Sequence, residues 1–108
     1  MKMQLAEIAN ALNSEIDKGD DTIITSVDFD SRKVGKNALF VPLAVQRDGH
    51  DFVNSAIANG AAATLWQKGH PNKPENIPVI EVDDPLTALQ DLAQYYLKKV
   101  NPTIVGIT

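Results

Sequence analysis

The sequence predicts an α/β domain, a small mixed sheet flanked by about three helices. Three observations predict it. Apolar runs of strand length recur at residues 38–43, 61–66 and 77–82. One-faced helical patterns separate or flank them, near residues 4–13, 52–58 and 85–100. The links are short and carry Gly, Pro, Asn and Asp, the residues that favour turns.

Each element has its own warrant. Leu5, Ile8, Ala9 and Leu12 fall at i, i+3, i+4 and i+7, which is one face of a short helix set to dock on a sheet. Residues 14–21 are polar with Gly19 and read as a loop. Residues 22–29 are β-branched and loosely alternating, hence a strand. Residues 30–37 are a polar turn region. The strand over 38–43 must hold Pro42 at an edge or near its end, because proline donates no ladder hydrogen bond.

Phe52, Val53, Ala56 and Ile57 mark a second helix, stopped at Asn59-Gly60, where glycine accepts a positive φ cheaply. The run 61–66 then reads as a buried strand, giving a βαβ crossover expected to be right-handed. Residues 67–76 are loop, broken by Gly69, Pro71 and Pro74. After the strand at 77–82, Asp84 caps the last helix and Pro85 occupies its first turn. Leu86, Leu89, Ala93, Tyr96 and Leu97 read as its apolar face. Lys98 and Lys99 suit the negative end of its dipole, and Asn101-Pro102 stops it. Residues 103–107 begin a further strand that looks cut in mid-element at Thr108.

Composition narrows the function. At 108 residues the chain is one domain's worth, enough to bury about two-thirds of its unfolded surface. The apolar fraction of 44% and charged fraction of 22% are those of a soluble globular domain. Ten Lys plus Arg against fourteen Asp plus Glu give a net charge of -4. There is no basic stripe to track a phosphodiester backbone, so nucleic acid is not the expected partner. No cysteine occurs, which excludes disulfides, thiolate zinc sites and a cysteine nucleophile. No signal-like start and no run of about twenty apolar residues is present, so the expectation is a cytoplasmic protein with no membrane partner.

The candidate site lies between residues 28 and 53, where two polar clusters bracket an apolar run. In Asp30-Ser31-Arg32, one reading is a plain turn with Arg32 solvated. The other is an anion or nucleotide contact, a hydroxyl beside a fork of guanidinium donors. In Arg47-Asp48-Gly49-His50-Asp51, a tight turn with a helix cap competes with a phosphate-receptive corner at a helix start. Asp48, His50 and Asp51 lack any recognised metal-ligand spacing. A Ser31–His50–Asp triad lacks the G-x-S-x-G context of a nucleophile elbow. Asp83-Asp84 reads as a cap rather than a catalytic pair. Trp66, Tyr95 and Tyr96 read as packing, and His70 as inert. No G-x-G-x-x-G or P-loop pattern occurs. The residues alone lead to a soluble α/β domain with a candidate anion corner.

The ordered set of motifs adds to this. Asp30-Ser31-Arg32, Leu39-Phe40-Val41-Pro42-Leu43, Arg47-Asp48-Gly49-His50-Asp51-Phe52, Ala56-Ile57-Ala58-Asn59-Gly60-Ala61, Val82-Asp83-Asp84-Pro85-Leu86 and Val105-Gly106-Ile107-Thr108 together resemble the N-terminal domain of the Mur ligases. The resemblance spans nearly the whole chain. It implies a UDP-anchoring domain at residues 1–100, followed at 101–108 by a linker and the first strand of a central ATPase domain. The implied activity is the joining of D-alanyl-D-alanine to UDP-N-acetylmuramoyl-tripeptide in peptidoglycan synthesis, using ATP and magnesium. The related ligase adding the third amino acid, or a non-catalytic small-molecule-binding module, are the alternatives.

The same resemblance implies that Ser31 contacts the uridine diphosphate with Phe29 at the uracil side. It sets Arg47, Asp48, Gly49 and His50 facing the sugar and diphosphate, and makes Arg32 a structural ion pair. The partners implied are the UDP-precursor and the central and C-terminal domains of the same chain. No catalytic residue, metal or cofactor is implied within these residues, so this piece alone is expected to be inactive. One departure stands out. Where the family commonly has a glycine before the loop charge, this chain has Ala44-Val45-Gln46, and a β-branched Val45 does not readily take positive φ.

Overall fold

Short β-branched and alanine-rich runs, each closed by a turn residue, build the frame. The structure, a computed structural model, describes residues 2–16, 18–43 and 52–100. Along the chain these form β1 (Met3–Gln4), α1 (Leu5–Ala11), β2 (Ile23–Ile24), β3 (Ser26–Asp28), β4 (Ala38–Phe40), α2 (Val53–Ala58), β5 (Ala61–Gln67), β6 (Val79–Val82) and α3 (Pro85–Val100). The α/β class holds. Its two kinds of pairing are divided between two sheets: β3-β4-β5-β6 is parallel throughout, and β1-β2 is a separate antiparallel ribbon. The expected β4–α2–β5 unit is present as a parallel pair joined through a helix.

Strand alternation divides the core between the two faces of the sheet. Leu39 and Val41 join Met3, Leu5, Ile8, Ile24, Leu65, Ile80 and Leu92 in the larger cluster, under α1, α3 and the ribbon. Ala38 and Phe40 join Val34, Val53, Ala56, Trp66 and Val79 in the smaller one, under α2. On β5 the alternation slips once. Ala38 pairs with Ala61 but Leu39 with Ala63, so Ala62 is an extra residue in the ladder. Ala61 belongs to the smaller cluster, Ala62 and Ala63 to the larger, and beyond them Leu65 and Trp66 fall on opposite faces.

Several boundaries differ from the sequence reading, among them the strand expected over 77–82, which begins at Val79. The run 22–29 is two strands, because the Thr25 N–H leaves the ladder to bond the Asn37 carbonyl (3.0 Å). Its first half pairs with β1 and its second with β4. The first helix is shorter at both ends than 4–13: Gln4 is extended (ψ 149°) and belongs to β1, and Asn13 turns the chain out at φ 53°. The strand expected over 38–43 ends at Phe40, one ladder-like bond later (Val41 N–H to Asp28 O, 2.9 Å), so Pro42 lies past the pairing.

The last helix begins as expected, and its buried face is rotated from the expected one, sharing Leu89 and Tyr96 with it. Asp84 Oδ1 accepts the Leu86 N–H (3.3 Å) and Oδ2 accepts the Thr87 hydroxyl (2.8 Å). The buried residues, however, are Pro85, Ala88 and Leu92, with Leu89, Tyr95 and Tyr96 partly buried beside them. Leu86 and Leu97 are exposed at 48% and 60%, and Ala93 is exposed as well. The apolar residues of the helix spread over a wide arc, and docking onto α1 keeps Leu89 and Tyr96 but leaves Leu86, Ala93 and Leu97 outside. Tyr95 donates to Glu7 Oε2 (2.7 Å) and Lys99 Nζ lies 2.7 Å from the same oxygen, fastening α3 to α1. Lys99, and after it Tyr95, hold the Glu7 carboxyl below its ordinary range. The expected strand at 103–107 lies outside the described residues.

Candidate functional site

The candidate site grows from the carboxyl ends of two neighbouring parallel strands, where open α/β sheets commonly bind ligands. β3 and β4 pair from Ser26–Ala38 to Asp28–Phe40. Phe29 follows β3 directly, and residues 41–43 follow β4 at the same edge. Residues 29–37 return to the start of β4 with no helix. Parallel neighbours usually need a dozen or more residues for this. Nine suffice here because the strands are only three residues long, about 10 Å.

Two carboxylates shape that connection. Asp28 Oδ1 accepts the Asp30 N–H (3.0 Å), and Asp30 Oδ1 accepts the Arg32 N–H (3.0 Å). The Lys33 N–H closes the turn on the Asp30 carbonyl (2.9 Å). These are successive aspartate turns, in which a short side chain stands in for a backbone acceptor. Phe29, between them, is 56% exposed, while Ser31 is only 7% exposed. The Ser31 hydroxyl makes no hydrogen bond to another described residue. Among those residues no fully buried side-chain polar atom is left without a partner, so the hydroxyl keeps access to the surface.

Arg32 is an ion-pair residue, as expected. Its Nε lies 3.2 Å from Asp30 Oδ1 and its Nη2 3.2 Å from Oδ2. The Arg32 side chain, and then its backbone N–H, hold the Asp30 carboxyl below its usual range, and the Arg32 guanidinium is shifted upward in turn. The Arg32 side chain faces solvent, while that of Asp30 is largely covered.

Phe29 and Ser31 are thus brought together on one turn. Arg47, Asp48, Gly49 and His50, with Asp51 and the Ala44-Val45-Gln46 departure, lie outside the described residues. The metal and triad ideas resting on them do too. The other sequence candidates are absorbed by the fold. Asp84 caps α3, and Asp83 pairs with Lys68 (3.3 Å). Trp66 is buried, donates Nε1–H to the His70 carbonyl (3.1 Å) and meets the His70 ring edge-on at 5.4 Å.

Sequence reasoning missed one participant. Asn59, read only as a helix stop, donates Nδ2–H to the Ser31 carbonyl at 2.8 Å. Its neighbour Gly60 sits at φ 115°, and its carbonyl accepts the Asn37 N–H (3.0 Å). A Cβ at Gly60 would lie 2.9 Å from Lys36 Cα, so only glycine allows the approach. The sole sequence signal was the Asn-Gly pair itself.

Fold and turn together describe a parallel α/β domain with a polar turn and an exposed aromatic at its carboxyl edge. The family model described as "Mur ligase family, catalytic domain" matches residues 23–97, and the chain belongs to the Mur ligase family. Its relatives include the UDP-N-acetylmuramoyl-tripeptide–D-alanyl-D-alanine ligase of Bacillus subtilis, 48% identical over 90 residues, a stretch covering 82% of this chain and 20% of that protein. The crystal structure of MurF from Acinetobacter baumannii matches with a TM-score of 0.79 at 24% identity, over 92% of this chain and 22% of that one. The MurF ligase of Thermotoga maritima, solved in complex with ADP, matches with a TM-score of 0.57 at 27% identity, over 68% of this chain and 17% of that one. The chain therefore spans about a fifth of the length of these proteins.

Proposed function

We propose that residues 1–100 form the UDP-anchoring domain of an ATP-dependent ligase that adds D-alanyl-D-alanine to UDP-N-acetylmuramoyl-tripeptide, and that 101–108 lead into a central ATPase domain. The observation that carries this reading is the pairing of Ser31 and Phe29. A serine hydroxyl with no partner among the described residues stands two residues from an exposed aromatic, on a turn leaving the carboxyl edge of a parallel sheet. The hydroxyl suits a diphosphate oxygen, and the ring offers an apolar surface to a uracil. The 48% identity with the B. subtilis ligase supports D-alanyl-D-alanine, rather than a third amino acid, as the group added.

Arg47, Asp48, Gly49 and His50 complete the reading as the loop facing the sugar and diphosphate. ATP and magnesium belong to the ligase as a whole. They do not fit these residues: the sequence has no Gly-rich phosphate loop, and the described residues hold no group of three or more His, Asp or Glu able to bind a metal ion. The contribution of this domain is grip. Binding energy from the remote UDP end positions the far carboxylate for a reaction carried out elsewhere. The cytoplasm, where UDP-linked precursors are made, is the proposed compartment, and no described helix is long and apolar enough to cross a membrane.

Calorimetric titration of the chain with UDP-N-acetylmuramoyl-tripeptide, UDP and ATP tests this. Saturable binding of the first two and none of ATP is expected. Ser31→Ala should weaken precursor binding by about 0.5–1.5 kcal/mol, the worth of one neutral hydrogen bond. Binding of ATP without UDP would overturn the reading.

A further inference from the structure

We propose that Asn59 is a positioning residue for Ser31, tying the turn that carries it to the end of helix α2. The inference rests on the reading of Ser31 as a ligand contact. Its basis is a division of labour at the end of α2. The backbone of Asn59 is satisfied within the helix, its N–H bonding to Ser55 O (3.0 Å) and Ala56 O (3.2 Å). Gly60 supplies the positive φ that ends the helix. The Asn59 side chain is needed for neither task. It reaches back 28 positions to the Ser31 carbonyl instead.

Among the described residues, the turn at 29–33 has no other such tie. The bonds among Asp28, Asp30, Arg32 and Lys33 are local and fix its shape, but they do not anchor it to the body of the domain. Among the described residues, Asn59 supplies the one side-chain hydrogen bond reaching this turn from another element. Gly60 holds the far end of the same connection through Asn37. The Asn59-Gly60 corner thus grips residues 29–37 at both ends. Preorganisation of this kind raises affinity by lowering the ordering cost on binding.

A double-mutant cycle on the 108-residue chain tests it, with UDP-N-acetylmuramoyl-tripeptide as the probe and circular dichroism defining a temperature at which every variant is folded. Asn59→Ala is expected to weaken binding about three- to tenfold, as the loss of one hydrogen bond would. Asn59→Leu, close in shape and lacking the donor, should do the same and covers the case in which the alanine variant folds poorly. In the Ser31→Ala background the Asn59 substitution should add little, because residues acting through one another are not additive. A residue that served folding alone would leave the affinity of the folded fraction unchanged. Intact affinity in both Asn59 variants while Ser31→Ala binds weakly overturns the inference and leaves the functional reading standing. Full additivity of the two substitutions overturns it too. A wild-type chain that does not bind the precursor, or a Ser31→Ala variant that binds as well as wild type, refutes the functional reading and this inference with it.

Discussion

The two faces of the sheet are held in different ways. Under α1, α3 and the ribbon, the larger cluster gathers aliphatic side chains from seven elements, with Tyr95 and Lys99 fastening Glu7 across the helix pair. Under α2 the cluster is smaller, the helix has six residues, and the connection beside it depends on the Asn59-Gly60 corner and on aspartate turns. Apolar burial is non-directional and tolerant of small shifts. Hydrogen bonds and close backbone approaches fix position but contribute less net free energy. One face therefore supplies stability and the other supplies geometry, and the candidate site lies on the second.

Substitutions on the two faces should separate these contributions. Leu65→Ala, which removes a fully buried side chain from the larger cluster, is expected to cost about 2–5 kcal/mol in urea unfolding. Precursor affinity of the protein that remains folded should not change. Weakened binding there would break the comparison. Gly60→Ala strains a backbone at φ 115° against Lys36 and should destabilise by more than about 1 kcal/mol. Unlike Leu65→Ala, it should also weaken binding, since it displaces the connection carrying Ser31. Stability lost with affinity intact would separate the Gly60 corner from the site. Asp84→Ala removes the α3 cap and should cost about 1 kcal/mol, read as a lower melting temperature with unchanged binding.

The smallest effect is a pH dependence. Glu7 has a folded pKa below its ordinary value of 4.5, so its contribution is fully present above that value and is lost as pH falls through the lowered one. Lys99 and Tyr95 are shifted upward from 10.5 and 10.0. Their contribution is fully present below those values and is lost as pH rises through the raised ones. Glu7→Gln should therefore cost no more than about 1 kcal/mol at neutral pH, as half-exposed pairs do. The gap from wild type should close as the solution is made more acid than pH 4.5. A gap that widened in acid would contradict the assignment. Asp30 adds an acid dependence of the same sign, and Glu7→Gln leaves it in place.

What was legible in the sequence was mostly local chemistry. Asp84-Pro85 announced the start of α3, and Asn59-Gly60 the end of α2, because capping depends on a residue and its immediate neighbours. The buried strands at 61–66 and 77–82 stood out by unbroken apolar character. The face of α3 was legible in part: Leu89 and Tyr96 pack as expected, but Leu86 and Leu97 extend the apolar arc on one side while Ala88 and Leu92 extend it on the other, and periodicity cannot say which side meets α1. The division of 22–29 into two strands was hidden because it depends on Asn37, twelve positions from Thr25. In the site, the ion pairing of Arg32 came with the family resemblance, and the turn chemistry of the residues alone did not name Asp30 as its partner. The Asn59 bond to Ser31 was not legible, since a side chain on a helix end gives no local sign of what it reaches.

The three consecutive alanines at the start of β5 acquire a meaning beyond smallness. Ala62 and Ala63 both belong to the larger cluster, a crowding tolerable only for side chains of a single carbon. They act as a phase correction, and every later residue of the strand takes its direction from it. Without it, strict alternation from Ala61 would send Trp66 toward α1 and α3 and Leu65 toward α2, exchanging an indole for an isobutyl group in each layer at once. The strand's most uniform stretch is thus where its handling of left and right is decided.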